Sequence, residues 1–210
     1  MNNDSFIEMN GIRQRLADVE ADIWAMLTNG SLHPEDAFRT ATLASQASTG
    51  IGLRTVVLRK AEVATKMIFF HSDNRATKIS EIRAQPAVSC LFYDDHRRVQ
   101  VRLSGQGFVH VGDRVADEHW QQLPVTSRKA YLSQHIPSSV TEHPTDGLPA
   151  QWQGRVLPTP HESEAGKPNF AVIRCQIDFA DWLWLGENGH RRAQFFYQNG
   201  LCTQMQWVIP

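Results

Sequence analysis

The chain has 210 residues, 41% of them hydrophobic, and a formal net charge of −1 at pH 7, which is the size and composition of one ordinary globular domain. The near-neutral charge argues against general nucleic-acid binding, and no apolar run approaches the ~18 residues of a membrane span. The first residues lack the basic and apolar regions of a signal peptide, and the three cysteines are far apart. We therefore expect a single cytoplasmic domain over residues 1–210.

The first predicted element is an amphipathic helix within residues 1–30. Apolar residues recur at spacings of three and four over residues 11–27. The pair Asn29-Gly30 would end this helix, because it suits a left-handed C-cap. We expect the helix to pack on the core or on a partner subunit.

The middle of the chain reads as short β-strands. Strands are predicted at residues 38–44, 53–59, 67–71, 87–93 and 99–103, with a short helix at 75–83 after the turn-forming Ser72-Asp73-Asn74. Side chains alternate along a strand, so in the second run Arg54, Val56 and Leu58 share one face. The opposite face carries Thr55, Val57 and Arg59.

The last third combines an irregular segment with further strands. Short helices are predicted at residues 115–123 and 127–134, and residues 135–168, with six prolines and little periodicity, predict a long irregular insertion. Strands follow at 170–185, 190–197 and 201–208, joined by Asn188-Gly189 and Asn199-Gly200, which are strong hairpin signals. This many strands with only short helices between them favours a closed or nearly closed antiparallel β-barrel.

Positive charge is concentrated on the predicted strands. Residues 54–102 hold ten Lys or Arg and five Asp or Glu, an excess of five in a chain whose net charge is −1. This excess is consistent with a bound anion such as a phosphate, although a sheet with solvated charged faces would give the same count. The sequence has no glycine-rich dinucleotide loop, phosphate loop, nucleophile elbow or zinc motif. An enzyme of this sequence would therefore rely on an organic cofactor.

The order of these residues resembles the FMN-binding split barrel of the pyridoxamine 5′-phosphate oxidase family, and most closely its oxidase-related branch. The resemblance rests on Arg-Thr-Val-Val-Leu-Arg from Arg54, the turn after His71, Gln100-Val101-Arg102 and His190-Arg191-Arg192. It implies a mainly β fold with short helices (α+β), built on an antiparallel six-stranded split β-barrel. It also implies bound FMN, no metal, nucleic acid or membrane partner, and a homodimer with the flavin at the subunit interface.

The resemblance implies a role for each matching residue. Arg54 would meet the FMN phosphate or ribityl chain, and His71 and Ser72 would lie against the flavin. Lys78 matches the phosphate clamp, where Thr77 replaces an arginine and Arg75 is the candidate substitute. The full set of implied FMN contacts is Arg54, Thr55, Val56, Val57, Leu58, Arg59, His71, Ser72, Arg75, Thr77, Lys78, Gln100, Trp184 and Arg192.

The implied reaction is oxidation of pyridoxine or pyridoxamine 5′-phosphate, with hydride transfer to the flavin and reoxidation by oxygen. The implied substrate contacts are Arg59, Arg128, Tyr131 and His190, and no catalytic residue is assigned. Asn188 or its neighbour replaces the family's arginine over the substrate, which brings the vitamin B6 substrate into question. The alternatives are an FMN-dependent reductase of another substrate and a non-catalytic flavin- or haem-binding protein.

Overall fold

The structure, a computed structural model, describes residues 6–9 and 11–210. Its strands are β1 (Phe6–Met9), β2 (Ile12–Arg15), β3 (Thr40–Ala47), β4 (Gly50–Glu62), β5 (Met67–Asp73), β6 (Ala87–Asp94), β7 (Val99–His110), β8 (Phe170–Trp184), β9 (Arg191–Gln198) and β10 (Leu201–Val208). Its α-helices are α1 (Leu16–Leu32), α2 (Thr77–Ala84), α3 (Arg114–Gln122), α4 (Val125–Arg128) and α5 (Pro160–Ser163).

Six antiparallel strands form the closed barrel that the sequence predicts. Their order is β8–β5–β4–β3–β6–β7, and β7 pairs with β8 to close the ring. β8 has two neighbours along one edge, because its first half pairs with β5 and its second half with β9. β9 and β10 continue the sheet beyond the barrel. The predicted six-stranded split barrel is therefore confirmed.

The strand alternation decides which side chains fill the barrel. In β4, Val56 and Leu58 point into the core and are 7% and 0% exposed, while Thr55 and Val57 lie on the outer face. Ile23 and Leu27 of α1 join the same core. The predicted alternation of β4 is confirmed, and it leaves the outer face of this strand available for a ligand or a partner.

The N-terminal segment differs from the predicted helix. β1 and β2 form an antiparallel hairpin, and α1 begins only at Leu16. Asn10-Gly11 between them is a hairpin-forming pair in the sequence, and Gly11 has a φ of +79°. Residues 12–15, predicted as the first turn of the helix, therefore belong to a strand.

The predicted end of this helix is also wrong. α1 continues past Asn29-Gly30 to Leu32. Gly30 is buried, and a Cβ at this position would lie 2.5 Å from the carbonyl carbon of Phe38. The glycine permits close packing of the helix on the following turn and does not act as a C-cap.

A second, smaller apolar cluster lies on the outside of the barrel. Phe69 of β5 and Phe170 of β8 pack there against Trp120 and Leu123. α3, α4 and a 3₁₀ turn at Lys129–Leu132 supply this cover, where the sequence predicts two short helices. Residues 135–168 are largely irregular and include only short helical turns. Within the described ranges, no helix is both long and apolar enough to cross a membrane.

Candidate functional site

A cavity of about 480 Å³ lies where β5 and α2 meet the irregular insertion. Four of the predicted site residues line it: His71, Ser72, Lys78 and Tyr131. Residues of the 135–147 part of the insertion form much of the remaining wall. The volume falls within the range of small-molecule sites. The structure therefore brings part of the predicted site together.

The Lys78 ammonium lies at this cavity beside a second cation. It donates a hydrogen bond to Ser72 Oγ over 3.1 Å rather than to a carboxylate. Burial, followed by repulsion from Arg54, lowers the pKa of Lys78, while Asp73 and Glu81 oppose this shift. Arg54 itself is paired with Glu81 over 2.8 Å and with Ser45 Oγ. Lys78 is thus the less neutralised of the two cations, and a bound anion would relieve its repulsion from Arg54.

Arg59 lies on the outer face of β4, at an irregularity of the β4–β5 register between Leu58 and Lys60. Such bulges re-aim side chains and are frequent beside functional sites. Its Nε atom is buried and has no hydrogen-bond partner among the described residues. Burial and the neighbouring Arg39 lower the pKa of Arg59, while Tyr131 opposes this effect. Arg59 is therefore a partly buried cation that lacks a full set of acceptors.

His71 contacts a histidine that the sequence analysis does not single out. Its Nε2 atom lies 3.0 Å from Nδ1 of His119, so one of these nitrogens donates a hydrogen bond to the other. Nδ1 of His71 is buried and has no partner in the described part of the chain. Burial, followed by repulsion from His119 and Arg59, lowers the pKa of His71 to about 3. His71 is therefore a neutral imidazole at pH 7.

The remaining residues predicted on this side differ in their availability. Arg75 is engaged in a two-point pair with Asp73, whose closest contact is 2.7 Å, and Thr77 is exposed at the start of α2. Arg128 pairs with Glu164 over 2.8 Å and donates to carbonyl groups of the α3–α4 connection. Arg128 thus has a structural role outside the cavity, whereas Tyr131 lines it.

Gln100 and Arg192 belong to a second group on the outer face of β7, β8 and β9. Both pair in register with Leu183 of β8, one from each side. Arg192 donates to both carboxylate oxygens of Asp181, with its shortest contact at 2.8 Å, and Arg102 donates to the same group over 2.8 Å. Although burial opposes ionisation, the hydrogen bonds from Arg192 and Arg102 lower the pKa of Asp181.

Trp184 and His190 do not join Gln100 and Arg192. Trp184 is next to Leu183 in β8, so its side chain is on the opposite face of the sheet, where its ring contacts Gly186. His190 is exposed ahead of β9, and Asn188 is exposed in the turn before it. Trp184 and His190 therefore lie outside both groups of predicted site residues.

The two groups are on opposite sides of the barrel. β4 and β7 are three strands apart in either direction around the ring of six. Ser45, which contacts Arg54, pairs in register with Val88 of β6, and Val88 pairs with Gly105 of β7. Gly105 is five residues along β7 from Gln100. Five residues of strand span about 17 Å. The two groups are therefore well separated within one chain.

Sequence reasoning missed three residues that organise these groups. Glu81 and His119 lie within predicted helices, but no motif marks either of them. Asp181 had the clearest signal, because it is an acidic residue between Ala180 and Trp182 in the otherwise apolar run 179–185. A buried carboxylate in such a position needs cationic partners.

Comparison with known proteins identifies the relatives of this chain. Residues 21–111 match the family model described as the pyridoxamine 5′-phosphate oxidase FMN-binding domain. This agrees with the predicted cofactor. No curated protein is significantly similar to the chain in sequence.

Solved structures extend the similarity to the whole fold. A pyridoxamine 5′-phosphate oxidase-related, FMN-binding protein from Nostoc punctiforme is 21% identical, with a TM-score of 0.71 over 90% of this chain and 96% of that one. PhzG from Burkholderia lata, solved in complex with tetrahydrophenazine-1-carboxylic acid, is 18% identical, with a TM-score of 0.63 over 91% and 88% of the two chains. The domain match and the shared fold confirm the predicted resemblance: residues 21–111 are similar to the FMN-binding domains of the pyridoxamine 5′-phosphate oxidase family, and the chain shares the fold of an FMN-binding protein.

Proposed function

We propose that two copies of this chain bind FMN between them and use it as an oxidoreductase on a small anionic substrate. The observation that carries the proposal is the cavity at β5 and α2, where the Lys78 ammonium contacts Ser72 and forms no ion pair with a carboxylate of the described residues. The match to an FMN-binding domain over residues 21–111 covers all of β5 and α2 and supports the same assignment.

The residues at the cavity fit the phosphate of FMN. Lys78, the Ser72 hydroxyl and the N-terminus of α2 offer a cation, a hydroxyl donor and backbone N–H groups, which together suit a phosphate. Arg54 would add positive charge near the phosphate, although its ion pair with Glu81 already neutralises part of that charge. Arg75 contributes less, because Asp73 occupies its guanidinium.

The flavin ring would lie along the outer face of β4. Thr55 and Val57 present their side chains there, whereas Val56 and Leu58 are core residues and can offer only backbone groups. When bound, the flavin supplies hydride transfer. Arg59 and Tyr131 would hold the anionic group of the substrate, because the Arg59 guanidinium has a buried nitrogen without an acceptor.

A second copy of the chain would complete the site. Gln100 and Arg192 lie half a barrel away from β4, so in this proposal they reach the flavin from the partner. The outer face that runs from β4 to β6 carries large exposed apolar side chains: Leu53 is 66% exposed, Leu91 38% and Tyr93 45%. An apolar face of this kind is what an obligate homodimer would bury.

Two anionic compounds are candidates for the natural substrate. The resemblance favours pyridoxine or pyridoxamine 5′-phosphate, whose phosphate suits Arg59. The exposed Asn188 offers no guanidinium above such a substrate. The complex of PhzG with an aromatic carboxylic acid makes a carboxylate the second anionic group to test. Both candidates share the contact with Arg59.

The proposal is tested by FMN titration of three proteins. Lys78→Ala should weaken FMN binding about 10- to 100-fold, the effect of removing one charge-assisted hydrogen bond. Arg83→Ala removes an exposed cation from the same helix and is the matched control, so its affinity should equal that of the wild type. An equal loss of FMN affinity in both variants, or no loss of FMN affinity in Lys78→Ala, would contradict the phosphate assignment. Bleaching of the bound flavin by pyridoxine 5′-phosphate under anaerobic conditions then tests the substrate.

A further inference from the structure

The hydrogen-bonded histidines are not explained by flavin binding alone. His71 lines the cavity, and His119 lies beside it on α3. Phe170 packs against the edge of the His71 ring, with ring centroids 4.8 Å apart, and Phe69 stacks on His119 at 5.3 Å. Two aromatic side chains therefore fix the orientation of both imidazoles. Such a pair can pass a proton along one line, because each ring has two nitrogens that exchange donor and acceptor roles.

We propose that His71 and His119 form a proton relay between the cavity and solvent. The inference rests on the proposed function, since oxidation of an alcohol or amine by a flavin releases a proton as well as a hydride. His71 would accept this proton at Nδ1, a buried ring nitrogen without a partner among the described residues, once the substrate lies against it. His119 would receive a proton from Nε2 of His71, so it acts through His71 and does not touch the substrate.

The transfers balance in both half-reactions. The substrate would give up a hydride from carbon, which bound flavin would accept, and a proton from its O–H or N–H, which Nδ1 of His71 would accept. The Nε2 proton of His71 moves to Nδ1 of His119, and the Nε2 proton of His119 moves to water. When oxygen takes up two electrons and two protons to form hydrogen peroxide, the reverse transfers return one proton from solvent and reset both tautomers.

The charges around His71 explain why it would pass on a proton rather than retain it. An imidazolium at His71 would be buried beside Arg59 and next to His119, and these effects lower the pKa of His71 to about 3. Tyr131, whose own pKa is raised to about 12 by burial, is neutral at pH 7 and offers no compensating charge. The cavity wall also holds Lys78 and the carboxylates of Asp73 and Asp146, of which Asp73 is paired with Arg75 over 2.7 Å.

His119 is the better place for a transient charge. It is only partly buried, and although burial and Lys60 lower its pKa, Glu118 and Glu62 oppose that shift. The neighbouring His110 is hydrogen-bonded to Asp113 over 2.7 Å and adds a smaller repulsion. The relay thus runs from a ring that burial keeps neutral to one that is less buried and has Glu118 and Glu62 nearby.

The first test needs no turnover. In nitrogen-15 spectra of the histidine rings, His71 should remain neutral from pH 5 to 8, and His119→Gln should shift its ring signals. His33→Gln is the matched control, because His33 is exposed and makes no contact with His71. The proposal would be overturned if the His71 ring titrates near the ordinary histidine pKa of about 6.5, or if its ring signals are the same in the wild type and in His119→Gln.

The second test measures the relay in the flavin-loaded protein. His119→Gln can keep a hydrogen bond to His71 but cannot pass a proton. Flavin reduction by pyridoxine 5′-phosphate in anaerobic stopped flow should therefore slow by about 10²-fold at pH 7, with FMN affinity unchanged. An unchanged rate would overturn the relay alone. Wild-type protein that binds FMN but is not reduced would instead overturn the proposed reaction, and the relay with it, while the ring spectra would still report an intact histidine pair.

Discussion

Replacing the buried carboxylate of Asp181 is the sharpest test of the group on β7, β8 and β9, because this carboxylate holds Arg192. Asp181 is 1% exposed and accepts hydrogen bonds from Arg192, Arg102 and Gln194. Asp181→Asn keeps the shape of the side chain but leaves two arginines without their counter-charge. Breaking a buried ion pair from one side costs about 3–5 kcal/mol. Because the side chains of Arg102 and Arg192 are 50% and 28% exposed, water offsets part of this loss, and we expect a cost of about 2–3 kcal/mol.

The pH dependence of this cost has a definite sign. The pKa of Asp181 is lower in the folded protein than in the unfolded chain, so the stabilisation is complete above the unfolded value of about 4. It is lost as the pH falls through the folded pKa. The difference in free energy of unfolding between the wild type and Asp181→Asn should therefore shrink below about pH 4.

Urea unfolding followed by tryptophan fluorescence measures this difference. Asp178→Asn is the matched control, because Asp178 is exposed on the same strand and burial raises its pKa instead of lowering it. The control should change the free energy of unfolding by less than about 0.5 kcal/mol. An Asp181→Asn effect no larger than the control, or one that persists unchanged to pH 3, would refute the reasoning.

Two further predictions test the packing of α1 and the core beside it. Gly30→Ala should destabilise the protein by about 1–3 kcal/mol in thermal or urea unfolding, because the added Cβ meets the Phe38 backbone at 2.5 Å. Helix propensity alone predicts a gain of about 1 kcal/mol, so any stabilisation would contradict this packing. Tyr197→Phe should cost about 1 kcal/mol, since the buried Trp24 Nε1 then loses the acceptor that lies 3.2 Å away. No measurable change in urea unfolding would mean that this hydrogen bond contributes nothing.

The barrel was largely predictable because its strands carry local signals. Asn199-Gly200 takes positive φ at both residues, as a tight hairpin requires, and the alternation of β4 is what the burial of Val56 and Leu58 produces. The N-terminal hairpin was missed because Ile12 lies at helical spacing from Leu16 and Val19. Gly30 was misread because its neighbour, Phe38, follows from tertiary packing and not from local sequence.

The candidate site was predictable only in part, since its partners are distant in sequence. The family resemblance selected Lys78 and His71, and both line the cavity. It could not reveal that His119, 48 positions later, reaches His71. Nor could it reveal that Arg128 is held by Glu164, because that contact depends on how the insertion folds back.

The central claim is that one flavin is held by residues of two chains, and mixed dimers test it most directly. Lys78→Ala and Arg192→Ala chains with different tags are co-expressed, and the mixed dimer is purified. If Lys78 and Arg192 reach each flavin from different copies, one of the two sites in the mixed dimer is intact and the other carries both changes. The mixed dimer should then hold about half of the wild-type FMN content, while each parent dimer holds little. Mixed dimers that bind no more FMN than their parents would contradict a shared site.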